Sequence, residues 1–398
     1  MTQTLTALPY IMLFVLTLSQ CGGNGNKAPT NTSTPPPQTS HGGTAGDDAL
    51  AEKLNTIISR EHRPAIAAFS LSEGQVIEME AVGLRSADSN IPVTSEDLWH
   101  VGSIGKSMTA TLVAFMVDAG FLTWETSVNE AFPEWSDTTI SKYGSLQIQE
   151  LLSHTSGLED EFPTAVYDLL ESDLSGPEVR YLGSQIALSY DHNYNKEVFR
   201  YANLNYVLAA AMLEKVSGRN WRDLITEYVF HPLGIYEFGF GLPGEPGTLD
   251  QPTGHFFNIP GDAPIHAAVG PAGSMHFSLD SMAIYANFHL QGLRGEGSML
   301  SRDSYEKLYQ PRIPSRLGGD YALGWVRNNN RIYHAGTNGR WFAHLEIDGT
   351  ENTAYFAVSN SFSDGLTVSM TSHGPIEIFI SETLNLLKER VENLSEED

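Results

Sequence analysis

Apolar residues along the chain follow two different periods, and each period predicts a different kind of element. In DDALAEKLNTIISREH the positions Leu50, Leu54 and Ile58 recur at helical spacing, which predicts a first helix. Two runs rich in apolar and β-branched residues follow, at residues 65–71 and 75–82, and the SEG between them is typical of a hairpin turn. The folded part is therefore predicted to open with a helix and a strand hairpin.

The end of the chain carries a matching strand pattern. The short runs YALGWV, RIYHAGT, RWFAHLEI and TAYFAVSN are rich in aromatic and β-branched residues, and the turn signals NNN, NG and DGTEN separate them. They predict an antiparallel meander, followed by a helix around residues 376–391. Because strands stand at both ends, we expect the two ends to pair into one sheet.

The middle of the chain is mostly helical or irregular in its pattern. NYVLAAAMLEKVSG ends on Gly218, a typical helix stop, and SLDSMAIYANFHLQGL reads as one amphipathic helix capped by Ser278. We interpret about residues 124–275 as an inserted helical subdomain. The predicted fold class is α/β in the α+β sense, with an antiparallel sheet flanked by helices.

The first residues differ in composition from everything that follows. The apolar run Leu8–Leu18 is too short to span a membrane comfortably, and it predicts a signal peptide over residues 1–21. Cys21, the single cysteine, follows that run, and LSQC resembles a lipoprotein lipobox. Residues 22–46 are rich in Gly, Pro, Ser, Thr and Asn and predict a flexible linker. We expect an exported protein, periplasmic or on the outer cell envelope, with its folded domain at residues 47–398 and either lipidated or simply secreted.

The charge balance limits the partners. A formal net charge of −25 argues against nucleic acid and anionic membrane surfaces, which need a basic stripe. The histidines show neither H-E-x-x-H nor paired Cys/His spacing, so no metal and no cofactor are predicted. A small-molecule substrate is the expected partner, and the oligomeric state stays open.

The stretch WHVGSIGKSMTATLVAFMVDAG places Ser103 and Lys106 three positions apart at the start of an apolar helix. Helix starts favour acidic residues, because the unsatisfied N–H groups make that end partly positive. The residues after Lys106 are apolar around much of the helix, so we expect the amine to be buried, which with the positive helix end lowers its pKa. A neutral amine can reach back over one turn and take the proton of Ser103. The alternative is a serine N-cap followed by a lysine that extends to solvent.

Two further segments supply groups that such a reaction needs. RYANLNY places Tyr201 and Asn203 two residues apart in an extended or loop segment, so both can face one cleft. A phenol beside a lysine can exchange a proton with the leaving group, and an amide can hold a substrate carbonyl. RIYHAGT adds His334, with Gly336 two residues on, where a substrate backbone can lie against a sheet edge.

Second copies of two motifs act as internal controls. SYEK repeats S-x-x-K at Ser304 and Lys307, in a charged stretch where the lysine is expected to be solvated and protonated. YAN recurs at Tyr285 and Asn287 inside an amphipathic helix, where residues two apart point in different directions. Neither copy is expected to converge on a substrate.

These motifs, in this order and spacing, resemble the serine β-lactamase and penicillin-recognising superfamily. The resemblance covers roughly residues 48–390 and is to the class C β-lactamase-like branch, which includes family VIII carboxylesterases and D-aminopeptidases. The stretches LLSHTSGL, HPLGI, PAGSMHFSLDSMA and YALGW are also similar to the family. The matches are Ser103 and Lys106 to S-x-x-K, Tyr201 and Asn203 to Y-x-N, and His334 and Gly336 to the third motif, which is K-T-G in class C β-lactamases.

The resemblance implies a β-lactamase/transpeptidase-like fold and a role for each residue. Ser103 is acylated, Lys106 and Tyr201 share the general-base and general-acid work, and the backbone N–H groups of Ser103 and Thr337 form the oxyanion hole. It also implies that Asn203, His334, Gly336 and Thr337 contact substrate, whereas His154 in LLSHTSGL is interpreted as structural.

One departure from the family pattern changes the expected substrate. A lysine in the third motif is a permanent cation for a substrate carboxylate, but His334 is charged only in part near pH 7. The sequence thus predicts a metal-free serine hydrolase acting on esters or amides, of the esterase or D-amino-acid peptidase type. The alternatives are a β-lactamase or penicillin-binding DD-peptidase and, from another class, a catalytically silent cell-envelope binding protein.

Overall fold

A computed structural model describes residues 48–139, 141–159, 162–192, 195–196, 198–261, 263–363, 368–371 and 374–397. The predicted signal peptide, the predicted linker and Cys21 lie outside the described residues, so export and lipidation stay predictions. Across the described ranges, no helix combines the length and the apolar character needed to cross a bilayer.

Helices dominate the middle of the chain, as the sequence pattern predicts. In chain order the helices are α1 Asp48–Arg60, α2 Gly105–Asp118, α3 Val128–Ala131, α4 Ser141–Gly144, α5 Ile148–Leu152, α6 Thr164–Leu170, α7 Gly176–Ser189, α8 Asn203–Ser217, α9 Trp221–Ile225, α10 His231–Leu233, α11 Leu279–Leu293, α12 Arg302–Tyr309 and α13 Ile378–Glu397.

Strands lie mainly near the two ends of the folded chain. They are β1 Ala65–Ser72, β2 Gln75–Gly83, β3 Trp99–His100, β4 Phe238–Phe240, β5 His255–Phe256, β6 Ile259–Pro260, β7 Met275–Phe277, β8 Ile313–Pro314, β9 Asp320–Tyr321, β10 Val326–Asn328, β11 Arg331–Thr337, β12 Phe342–Asp348, β13 Thr353–Ser359, β14 Ser361–Phe362, β15 Val368–Thr371 and β16 Gly374–Glu377.

The main sheet of the described residues has the strand order β2-β1-β13-β12-β11-β10-β9-β8, and its neighbours are antiparallel. The predicted pairing of the two chain ends is confirmed, because β1 lies directly beside β13. Phe69 of β1 stands opposite Phe356 of β13, and their rings stack with centroids 5.3 Å apart. Such cross-strand aromatic pairs favour one register over its neighbours.

Alternate residues of β1 face two separate apolar clusters. Ala67 and Phe69 belong to the large cluster that contains residues of α2 and α11. Ile66 and Ala68 face the other way, into the cluster formed with α1 and α13. Because successive side chains of a strand point to opposite faces, this period of two places helices on both sides of the sheet.

Three boundaries differ from the sequence-based expectation. The apolar helix α2 begins after Ser103, which lies in a short 3₁₀ turn, and α8 begins at Asn203 itself. The final helix α13 continues to Glu397, beyond the helix predicted around residues 376–391. Val391 is buried in the cluster with α1, and Arg390 pairs with Glu78, so the last turns gain partners that the sequence pattern does not reveal.

Candidate active site

A small sheet and a glycine set the position of Ser103. The strand β3 pairs with β7 and leads into the turn Gly102–Ile104, from which α2 departs. Gly102 has φ +52°, a left-handed conformation that favours glycine, and its N–H donates to His100 Nδ1 at 3.2 Å. Ser103 is half-buried at this junction, so part of the residue is open to solvent.

Lys106 is buried beneath that hydroxyl, as the sequence predicts, with 0% of its surface exposed. Its Nζ lies 3.0 Å from Ser103 Oγ, 2.7 Å from Asn203 Oδ1 and 2.7 Å from the carbonyl oxygen of Ala272. The two oxygens of Asn203 and Ala272 can only accept hydrogen bonds. A neutral amine that donates its two N–H groups to them has its lone pair left to receive the proton of Ser103.

Aromatic rings enclose the amine on a further side. Lys106 Nζ lies 4.7 Å from the ring centroid of Tyr201 and 5.6 Å from that of Tyr206, both within cation–π range. Tyr201 is half-buried and therefore borders both the amine and the open side of the site. The sequence-predicted neighbours Ser103, Lys106, Tyr201 and Asn203 thus come together around one amine.

Strand β11 runs close against the Ser103 turn, and glycine permits the contact. An ideal Cβ on Gly336 would lie 2.0 Å from the carbonyl oxygen of Val101 and 2.6 Å from the amide nitrogen of Ser103. An ideal Cβ on Gly102 would lie 2.3 Å from the amide nitrogen of Thr337. The two backbones therefore touch, and the amides of the predicted oxyanion hole, Ser103 and Thr337, lie at the same junction.

His334 lies on the same strand but is not a cation. The side chain is 4% exposed, and burial together with the positive charge of Lys106 lowers its pKa to about 3. Its Nδ1 lies 2.6 Å from the carbonyl oxygen of Ala335, to which it donates, and its Nε2 lies 3.0 Å from the Tyr321 hydroxyl. The expectation that His334 is partly charged near pH 7 is therefore wrong, because packing against Tyr321 removes it from water.

The second S-x-x-K lacks this convergence. Ser304 is buried and donates to Asp118 Oδ1 at 2.6 Å, while Lys307 pairs with Glu125 at 3.6 Å. The second Y-x-N lies inside α11, where Tyr285 is fully buried. In the part of the chain that the structure describes, no group of three His, Cys, Asp or Glu side chains is arranged to hold a metal ion.

Comparison with known proteins now identifies the family. The family model described as Beta-lactamase matches residues 47–370. The chain belongs to the beta-lactamase family. It is 24% identical over 321 residues to Penicillin-binding protein 4 of Amycolatopsis lactamdurans, an alignment that covers 74% of this chain and 80% of that protein. It is 19% identical over 342 residues to Protein flp of Staphylococcus aureus (strain MW2), covering 79% of this chain but only 64% of the relative.

Solved structures agree with this membership at the level of the fold. The class C beta lactamase from Rhodobacter sphaeroides superimposes with a TM-score of 0.68 at 16% sequence identity, covering 87% of this chain and 99% of that one. The predicted superfamily and the predicted β-lactamase/transpeptidase-like fold are therefore confirmed. The chain therefore belongs to a family of serine hydrolases, and membership of this family suggests small-molecule substrates.

The three short motifs leave out three groups that contact residues of this beta-lactamase-family site. Ala272 contributes only a backbone oxygen, 166 residues along the chain from Lys106, and no side-chain pattern announces it. Tyr321 and His154 stand in YALGW and LLSHTSGL, stretches that resemble the family, but neither is part of the three short motifs. His154 has φ +57°, and a buried left-handed histidine is a signal that only the structure provides.

Proposed function

We propose that the protein hydrolyses esters or amides through an acyl-enzyme on Ser103, as a carboxylesterase or D-amino-acid peptidase. The observation that carries the proposal is the set of contacts around the Lys106 amine. The neutral amine can donate hydrogen bonds to Asn203 Oδ1 and the carbonyl oxygen of Ala272, and at the same time accept the proton of Ser103. A buried amine that faces a hydroxyl in this way is suited to be a general base.

The proposed reaction has two steps. In acylation, Lys106 takes the proton of Ser103, whose Oγ bonds to the substrate carbonyl carbon while the backbone N–H groups of Ser103 and Thr337 stabilise the oxyanion. The bond to the leaving group breaks, and Lys106 and Tyr201 share the return of a proton to it. In deacylation, water gives a proton to the same groups and its oxygen bonds to the acyl carbon. The bond between that carbon and Ser103 Oγ then breaks, and Oγ takes back the proton as the acid leaves.

The neutral state of His334 supports a substrate without a carboxylate at this position. The ring accepts from Tyr321 and donates to Ala335, so its two nitrogens are already engaged within the protein. An uncharged imidazole offers no ion pair to a carboxylate, whereas the lysine of the K-T-G motif is a permanent cation. Neutral esters and amides are therefore the proposed substrates, in preference to penicillins.

A matched pair of esters tests this preference. We expect p-nitrophenyl butyrate to exceed p-nitrophenyl hemisuccinate in kcat/KM by about ten- to hundredfold, which is the range of one hydrogen-bonded charge. D-alanine p-nitroanilide, assayed beside them, distinguishes the peptidase from the esterase. The measurement is initial rates at pH 7 over a range of substrate concentrations.

One variant links the preference to a residue. His334→Lys is expected to narrow the ratio between the two esters, because it returns a cation to the third motif. Penicillin turnover as fast as that of the neutral ester would contradict the proposal and favour a β-lactamase. Penicillin labelling with slow release, and no ester turnover, would favour a DD-peptidase.

A further inference from the structure

His154 lies directly behind the Tyr201–Asn203 segment and is fully buried there. Its imidazole is tilted against the Tyr201 ring, with centroids 4.4 Å apart. Nδ1 lies 3.2 Å from the amide nitrogen of Ala202 and 3.0 Å from Asn205 Nδ2. The backbone carbonyl of the same histidine accepts from the N–H of Arg200 at 3.0 Å. One residue therefore contacts this segment through its ring, its ring nitrogen and its carbonyl.

These partners determine the protonation state of the ring. A backbone N–H can only donate, so Nδ1 must be an acceptor and the proton of the neutral ring is on Nε2. Asn205 agrees with this assignment, because its Oδ1 accepts from the Ser156 hydroxyl at 2.6 Å and its amide nitrogen is left to donate to His154. Burial, and then the positive charge of Lys106, hold the pKa of His154 well below its usual value. The lowered pKa favours the neutral ring, in which Nδ1 accepts from these two donors.

The contacts named above join His154 to the segment that carries Tyr201 and Asn203, and none of them is to Ser103. The hydrogen bond to Ala202 fixes the peptide between Tyr201 and Asn203, the two side chains that lie against Lys106. The left-handed backbone of His154, φ +57°, turns the chain so that the carbonyl and the ring face the same segment. Movement of that peptide would displace the phenol and the amide together.

We propose that His154 is a positioning residue, which holds Tyr201 and Asn203 against Lys106 through the acceptor Nδ1. This inference rests on the proposed acyl-enzyme function of Ser103. The role requires an acceptor at the Nδ1 position rather than a titrating imidazole. Asparagine can supply such an acceptor and tolerates the left-handed backbone, whereas leucine of similar size supplies none.

The test compares three variants by the rate at which a fluorophosphonate probe labels the full chain, followed by intact mass. We expect His154→Leu to slow labelling about 10²-fold, the cost of a misplaced catalytic group. His154→Asn is expected to stay within about tenfold of the unsubstituted chain, because it restores the acceptor. His255→Asn is the control, since His255 is equally buried and makes two hydrogen bonds, to Ala87 and Asn360, away from this segment.

Each outcome has a separate meaning. Melting temperatures measured beside the rates show whether the variants are folded, and all three are expected to melt lower than the unsubstituted chain. Equal labelling rates for the folded Leu and Asn variants would overturn the positioning role while leaving the proposed function intact. Slowing by His255→Asn as large as that of His154→Leu would also overturn it, because a general loss of stability would then suffice. Absence of labelling on the unsubstituted chain would contradict the proposed function itself, and this inference with it.

Discussion

Replacing Lys106 by methionine is expected to lower kcat/KM for p-nitrophenyl butyrate by about 10²–10⁴-fold, the usual contribution of a positioned general base. Methionine keeps much of the buried stem but removes the amine that faces Ser103 Oγ at 3.0 Å. Asn203 Oδ1 and the carbonyl of Ala272 lose their donor, so stability is expected to fall by roughly 1–3 kcal/mol for each acceptor that stays unpaired. Steady-state kinetics at a temperature where the variant is folded measure the effect.

The second S-x-x-K supplies the matched control for this substitution. Lys307→Met removes a lysine that stands at the same spacing from a serine as Lys106. That serine, Ser304, donates its hydroxyl hydrogen bond to Asp118 and is not part of the candidate site. Its kcat/KM is expected to equal that of the unsubstituted chain. A loss as large as that of Lys106→Met, or no loss in Lys106→Met, would contradict the assignment of Lys106 as the base.

The pH dependence of kcat/KM is a second test of the assignment of Lys106 as the general base. The pKa of His334 is about 3, so this ring gains no proton between pH 5 and 8, and burial lowers the pKa of His154 well below its usual value. Since Lys106 acts as a base only in its neutral form, kcat/KM is expected to rise with pH along an acid limb that reports the loss of a proton from this amine. His334→Gln is expected to keep that limb at the same pH, and its disappearance in this variant would assign it to the histidine instead.

Gly336→Ala is expected to lower kcat by about 10²–10³-fold, the cost of losing one oxyanion-hole donor. The new methyl would lie 2.0 Å from the carbonyl oxygen of Val101, so β11 and the Ser103 turn must separate. That oxygen and the amide nitrogen of Ser103, 2.6 Å from the same methyl position, are backbone atoms and cannot rotate away. Separation moves the amide of Thr337 away from that of Ser103, and the two no longer converge on one oxygen.

The control for Gly336→Ala is a substitution at Gly295, which has open space around its Cβ position. Gly295→Ala also adds a methyl group, but nothing lies within 4 Å of its Cβ, and the positive φ of +73° adds only local strain. We expect a small loss of stability and unchanged kcat. If Gly336→Ala keeps full activity while it is folded, the oxyanion hole is not formed at this junction.

The fold could be predicted from the sequence where local pattern and tertiary packing agree. Residues of β1 alternate between two apolar clusters, so their period of two is visible in the chain itself. The sequence pattern predicts one strand for YALGWV, but the structure divides this stretch between β9 and β10. Gly324, with φ +78°, bends the chain there, and its Cβ position lies 2.9 Å from the carbonyl oxygen of Lys106. The bend follows from contact with α2, which no local pattern reports.

In the candidate site, too, some features could be predicted from the sequence and others depend on tertiary packing. Ser103 and Lys106 are one helical turn apart, so their contact follows from sequence spacing alone. The neutral state of His334 does not, because it depends on burial against Tyr321 and on the nearby charge of Lys106. The sequence indicates a structural role for His154, whereas the proposed positioning role rests on its hydrogen bond to Ala202, which depends on long-range packing.

The most direct test of Ser103 as the nucleophile is the mass of the chain after reaction with a fluorophosphonate probe, in which Ser Oγ bonds to phosphorus and fluoride leaves. We expect a single adduct on the unsubstituted chain and on Ser304→Ala, and none on Ser103→Ala. An adduct that persists on Ser103→Ala would place the nucleophile elsewhere. If the unsubstituted chain forms no adduct with the probe, with p-nitrophenyl esters or with penicillin, the proposed hydrolase activity is contradicted. A silent binding protein with the same fold is then favoured.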